Sequence, residues 1–365
     1  MRETKWNFPS DEKLIPVHEL PDPFCRPDGS RIAGAEEWPE QREYLKAMLS
    51  HYMYGQIPPA PEQVRGEIVS SKRLYEGRAI EDTVRLTFCP GEGKEQLAMH
   101  VRVTRPAITG KVPVITWNQG EGGSPCPIEE QLVCDREYAI AEFNREELAP
   151  DSRKLFKGPL AAAYPEYDWG AIAMWGWCHS RVIDYLEQTD YADPEKMVAT
   201  GHSRGGKAAL CAAIYDERIA LCAANGSGCG GAGCFRYLGS SRGEGTGLCE
   251  TAKGIAKMFP YWWNPRFRKI KNCECFPFDL HFVRALIAPR AVITTDGLGD
   301  TWSNPYGTRL THQAAGEVFR FLGVEEKNAL HMREGGHDYL ENDWQAAADF
   351  CDQIFFGKKQ IAEKE

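Results

Sequence analysis

The sequence predicts an α/β fold: a mostly parallel central sheet flanked by helices, a three-layer sandwich in one domain. Short apolar runs recur at VPVITWN (112–118), YAIAEFN (138–144), MVAT (197–200), IALCAAN (219–225) and RAVITTD (290–296), with helix-forming stretches between most of them. Strands buried on both faces read as continuous apolar runs, and parallel neighbours need a crossover between them. The third observation is VATGHSRGGKAAL (198–210), a β-rich run, a glycine-flanked turn and a run of helix formers.

The N-terminal stretch, about 1–63, is polar and proline-rich with one helical segment over 36–54, and is expected to wrap the core. Alternating segments at 66–71, 81–88 and 97–104 predict an antiparallel meander at the sheet edge. A helix over 171–188 places Ile172, Trp175, Ile183 and Leu186 close to one stripe, so its tryptophans belong to the core. Between 226 and 277 lies a segment rich in Gly, Cys, Arg and aromatics, too long for an ordinary loop and sited just past a strand's carboxyl end, where insertions build binding surfaces. A helix over 343–355 follows the last strand-like run, NALHM, and the tail GKKQIAEKE is expected to fray.

With 365 residues, the chain is long for one domain but within the range of α/β sheets carrying insertions. Against 43 basic residues stand 52 acidic ones, a net charge of -9, which excludes broad nucleic-acid binding because that requires a basic face. No apolar run reaches the eighteen residues of a membrane span, and no membrane partner is expected. The opening MRETKWNFPSDEKL lacks an apolar region after its positive charge, so cytoplasmic residence is expected, or an extracellular or periplasmic one if the chain has been trimmed. Thirteen scattered cysteines fit reduced thiols, and neither Cys273 with Cys275 nor Cys222, Cys229 and Cys234 has zinc spacing, so no metal and no cofactor is expected.

The turn Gly201-His202-Ser203-Arg204-Gly205 has the pattern of a nucleophile elbow, which presents a serine at the tip of a strained strand-to-helix turn. Arg204 and Lys207 put two cations beside that serine, pointing to an anionic substrate or a developing oxyanion. A serine hydroxyl needs a general base, and the base needs an orienting carboxylate. In α/β-hydrolases the order along the chain is Ser, acid, His. Asp296 and Asp300 follow the strand ending near Thr295, and His337 sits in REGGHDYL; spacing does not choose between the two aspartates. His202 would point away from Ser203 and serve packing.

GHSRGGK (201–207), SGCGG (227–231), FPYWW (259–263), DLHFVRALIAPR (279–290), DTW with NP (300–305) and EGGH (334–337) together resemble the carbohydrate esterase family 15 glucuronoyl esterases. That resemblance implies an α/β-hydrolase fold and cleavage of 4-O-methyl-glucuronic acid esters, the links between glucuronoxylan and lignin alcohols. It implies Ser203 as nucleophile, His337 as base, Arg204 at the oxyanion, and Lys207, Glu250 and Trp302 at the sugar. Many members hold the acid at the position of Gly226, which cannot orient a histidine; the alternative in the DxW motif is Asp300. The partner implied is a small-molecule or oligosaccharide uronate ester, neutral until hydrolysed. The segment YLGSSRGEGTGL is longer than the family leads one to expect. Rival readings are a carbohydrate acetyl esterase acting on acetylated xylan and a noncatalytic carbohydrate-binding relative.

Overall fold

The computed structural model describes residues 5–91, 93–239 and 249–358; the tail beyond 358, for which fraying is expected, and most of the YLGSSRGEGTGL segment lie outside the described residues. Among these residues nine strands form one sheet: β1 (Val64–Leu74), β2 (Ala79–Phe88), β3 (Leu97–Pro106), β4 (Val112–Gln119), β5 (Ala139–Asn144), β6 (Ala192–His202), β7 (Ile219–Asn225), β8 (Ala291–Gly297) and β9 (Asn328–Arg333). Their spatial order is β1-β2-β3-β5-β4-β6-β7-β8-β9. The first four in that order pair antiparallel, and every pair from β5 onward is parallel. The meander therefore forms one edge of a parallel sheet, and chain order reverses around β4, the kind of switch point at whose carboxyl end ligands bind.

Helices α1 (Trp38–Leu49), α2 (Pro159–Ala163), α3 (Ala171–Leu186), α4 (Arg204–Tyr215), α5 (Ala252–Met258), α6 (His281–Ala285), α7 (Pro305–Phe321) and α8 (Glu341–Phe356) accompany the sheet. The larger apolar cluster packs α3, α4, α6 and α7 on one face, with Trp169, Trp175 and Ile183 buried in it. The smaller one lies beneath α8, where Trp117 of β4 meets Trp344 edge-on at 4.9 Å. No helix among the described residues is long and apolar enough to cross a membrane.

The N-terminal segment is fastened by α1, whose Arg42 donates to the carbonyls of Ile214 and Leu286, just inside and just beyond the C-terminal ends of α4 and α6. Orphan carbonyls there need donors, and a guanidinium fork serves two at once. The segment after β7 is held by a fully buried ion pair, Arg236 to Asp279 at 3.0 Å, and by the packed rings of Phe235, Phe267 and Phe276.

Candidate active site

The turn between β6 and α4 holds Ser203 at φ 57°, ψ −121°, a region ordinarily reserved for glycine. Two backbone bonds keep it there: Ser203 N–H donates to Asn225 O at 2.9 Å, and Lys207 N–H donates to Ser203 O at 3.1 Å. The glycine before it is obligatory, since a Cβ on Gly201 would stand 2.4 Å from the Gly205 backbone. Asn118, at the end of β4, donates its amide to the carbonyls of Thr200 and Gly205 and so ties the elbow to the neighbouring strand.

Strain of this kind exposes the hydroxyl, and His337 meets it: Ser203 Oγ lies 2.9 Å from Nε2. His337 stands on the loop after β9, whose Arg333 bonds Asp343 at 2.7 Å and the carbonyl of Asp338 at 2.6 Å, fixing the loop's shape. On the other side of the ring, Nδ1 lies 2.5 Å from Asp300 Oδ2. The serine, the histidine and one of the two candidate aspartates thus form a continuous hydrogen-bonded chain.

Asp296, the other candidate, is 1% exposed with both oxygens unbonded. Burial, reinforced by the charges of Asp300 and Asp343, pushes its carboxyl well above the usual range, which favours its protonated form. Burial also pushes Asp300 upward, but bonds from His337 and Ser303 outweigh it and hold its carboxyl below the usual range. Ser303, which the sequence reading did not single out, donates to Asp300 Oδ2 and stands 3.0 Å from Nδ1 of His337. His202 packs tilted against the His337 ring at 4.6 Å and bonds Asn225 Oδ1 at 2.5 Å. Burial and the neighbouring His337 lower its pKa to about 4, so a neutral ring sits beside the base.

Arg204 reaches across the cleft to Asp151, its Nη1 2.5 Å from Oδ2, over the faces of Phe259 and Trp262. Asp151 Oδ1 accepts from Tyr261 Oη and Trp262 Nε1, each at 3.0 Å. Asp151 carries no sequence signal; only the aromatic run FPYWW pointed to this corner. A cleft of about 310 Å³ is lined by Asn118, Gln119, Arg145, Ser203, Arg204 and His337, among others.

Residues 91–323 match the family described as fungal glucuronyl esterase. A glucuronoyl esterase of carbohydrate esterase family 15 from Caldicellulosiruptor kristjansonii superposes with a TM-score of 0.80 at 30% identity, over 93% of this chain and 91% of that one. The chain belongs to carbohydrate esterase family 15. It is also 29% identical to carbohydrate esterase MZ0003 of an unknown prokaryotic organism, over 96% of this chain and 93% of that protein. Against the 4-O-methyl-glucuronoyl methylesterase of Podospora anserina it is 27% identical, over 91% of this chain but only 66% of that protein. As a member of this family the chain is a carboxylic ester hydrolase with an α/β-hydrolase fold, which removes the noncatalytic reading.

Lys207, Glu250 and Trp302, which the family resemblance placed at the sugar, do lie together, but differently exposed. Lys207 is 2% and Glu250 3% exposed, and they bond each other at 2.9 Å; Lys207 also donates to Ser227 O at 2.8 Å. Lys207 is thus neither a helix-surface charge nor open to solvent. Glu250 N–H donates to Trp302 O at 2.9 Å, joining this pair to the loop of Asp300. Trp302 itself is 38% exposed, so it is not core. At Gly226, where the resemblance placed an alternative position for the acid, φ is +50° and a Cβ would lie 3.3 Å from His337 Cε1. A side chain at this position would border Cε1 and Nδ1, the edge of the ring that Asp300 already occupies. Among the described residues no group of three or more His, Cys, Asp or Glu converges as metal ligands.

Proposed function

We propose that the chain hydrolyses esters of glucuronic acid or 4-O-methyl-glucuronic acid, in glucuronoxylan–lignin linkages or oligosaccharides derived from them. The observation that carries this is the Ser203–His337–Asp300 chain beside the Lys207–Glu250 pair and the open face of Trp302. His337 takes the Ser203 proton as Oγ attacks the ester carbonyl carbon, then returns it to the leaving alcohol; water releases the uronate by the reverse sequence. Asp300, held ionised, stabilises the imidazolium and fixes which nitrogen faces the serine. Arg204 meets the oxyanion with its side chain and its backbone N–H at the start of α4. Trp302 offers an indole face to the sugar ring, and the Lys207–Glu250 pair forms the polar wall behind it.

Hydrolysis of methyl glucuronate compared with a small acetyl ester tests this reading. Release of acetate faster than of methanol favours the carbohydrate acetyl esterase instead, and loss of both activities in Ser203→Ala is expected in either case.

A further inference from the structure

Arg145 is a buried cation in the cleft with no partner. It directly follows β5, and its backbone N–H donates to Gln119 O at 3.0 Å, tying the carboxyl ends of β5 and β4 together. Its side chain is among the buried charged groups at 9% exposure, and its Nε is unbonded. Among the described residues the guanidinium has no hydrogen bond and no ion pair; the Trp175 ring backs it at 5.0 Å. Space is kept for it by Gly120, where a Cβ would stand 2.9 Å from Nη2. It lines the same cleft as Ser203 and His337.

Other charges facing it are Asp151, Glu146 and Arg204. Asp151 is spent on Arg204, Tyr261 and Trp262, and Glu146 accepts from the backbone of Glu121 at 3.4 Å. Burial lowers the Arg145 pKa to about 10, which leaves it protonated at neutral pH. An unpaired buried charge is costly to fold around, and a site that keeps one open is built for an anion. Arg204 is bonded to Asp151, and Glu146 offsets the charge of Arg145 without bonding it, so the guanidinium fork left without a hydrogen-bond partner in this cleft belongs to Arg145.

We propose that Arg145 is a substrate-contacting catalytic residue whose open fork receives the ester carbonyl oxygen and binds it most tightly as the oxyanion of the tetrahedral intermediate. This rests on the reading of Ser203 as nucleophile. Arg145 donates hydrogen bonds and keeps its protons; the bonds made and broken are those at the carbonyl carbon. Arg204 then flanks the oxyanion from the opposite side, tethered and partly neutralised.

The test is Arg145→Gln, assayed in parallel on methyl glucuronate and p-nitrophenyl acetate, with thermal melting as the folding control. The expected result is a fall in kcat of about 100-fold on each substrate that the wild type turns over, with KM changed by less than about threefold. A kcat within about threefold of wild type, or a loss confined to KM, overturns the proposal. If Arg145→Gln does not fold, Arg145→Lys carries the test: it keeps the charge without the fork, and about a tenfold loss in kcat is expected, while wild-type kcat overturns the proposal. A wild type that cleaves the aryl ester but no uronate ester defeats the substrate reading and leaves the Arg145 comparison intact.

Discussion

Arg204 Nη1 stands 2.5 Å from Asp151 Oδ2, so the cation that follows the elbow serine enters the cleft already paired. The carboxylate is itself fixed from the other side by Tyr261 and Trp262, and the Arg204 plane lies over the Phe259 and Trp262 rings. A guanidinium so clamped gives up little rotamer freedom when the substrate arrives, which is what electrostatic preorganisation requires. The clamp also gives a physical reason for the run FPYWW: two of its rings donate to one aspartate and two stack beneath one arginine.

Replacing Asp151 by Asn keeps an acceptor for the two rings but removes the charge that holds Arg204. Released, Arg204 samples solvent, and the oxyanion contact proposed for it is lost for part of the time. We expect kcat to fall about tenfold, less than the loss on deleting a donor outright, with KM nearly unchanged. Steady-state kinetics on methyl glucuronate check this, and a kcat equal to wild type would show that Arg204 needs no anchor.

The two aspartates after β8 separate cleanly by substitution. Asp300→Asn leaves the shape intact but removes the carboxylate that holds the His337 tautomer, and kcat should fall by about 10³ to 10⁴-fold. Asp296→Asn replaces an unbonded buried acid, whose protonated form burial favours, by a neutral amide of the same shape and should change kcat by about twofold at most. A single-turnover assay on both variants measures the difference, and equal losses would reverse the assignment.

Sequence alone delivered the sheet because β4, β5, β7, β8 and the C-terminal half of β6 are buried on both faces, and such strands announce themselves as apolar runs. It was less informative for β1, which is exposed along nearly its whole length and has no inward face to pattern; the strand runs from Val64 to Leu74, well past the expected 66–71. Ser203 and His337 were legible from local turn chemistry and order. Asp300 and Asp296 were not separable by spacing, because only the fold shows that Asp296 ends inside the sheet while Asp300 reaches the histidine ring on the turn beyond. Asp151 and Arg145 carry no motif at all, and Ser303 sits unmarked between the DTW and NP of the 300–305 stretch. Their roles come from elements that meet only in three dimensions: a loop before α2, the turn before α7 and the end of β5.

Acid stability should follow the buried histidines. Burial lowers His179 to about 3 and His202 and His312 to about 4, against 6.5 for an exposed ring. As pH falls below about 6.5 the unfolded chain takes up protons that the folded chain refuses, so stability is lost from there down to about 4, where the folded rings begin to charge. Asp296 acts in the opposite sense, because the folded state keeps its proton while the unfolded state ionises above 3.8. Each proton of net difference is worth about 1.4 kcal/mol per pH unit. The urea midpoint should therefore drop between pH 7 and pH 5. Asp296→Asn should make that drop steeper and His179→Gln shallower; a flat midpoint across the range would refute the reading.

The Lys207–Glu250 pair separates stability from substrate preference. Both side chains are enclosed and bonded to each other, so Lys207→Met strands a buried carboxylate and should cost about 3 to 5 kcal/mol, read as a large drop in melting temperature. Adding Glu250→Gln removes the stranded charge and should restore most of that stability, since a buried pair is commonly matched by neutral residues of similar volume. If the pair only holds the loop, the double variant regains activity along with its fold. If it forms the polar wall of the sugar site, the double variant melts like wild type yet shows KM for methyl glucuronate raised about tenfold or more, while its KM for a small acetyl ester, which carries no sugar to meet that wall, stays where it was.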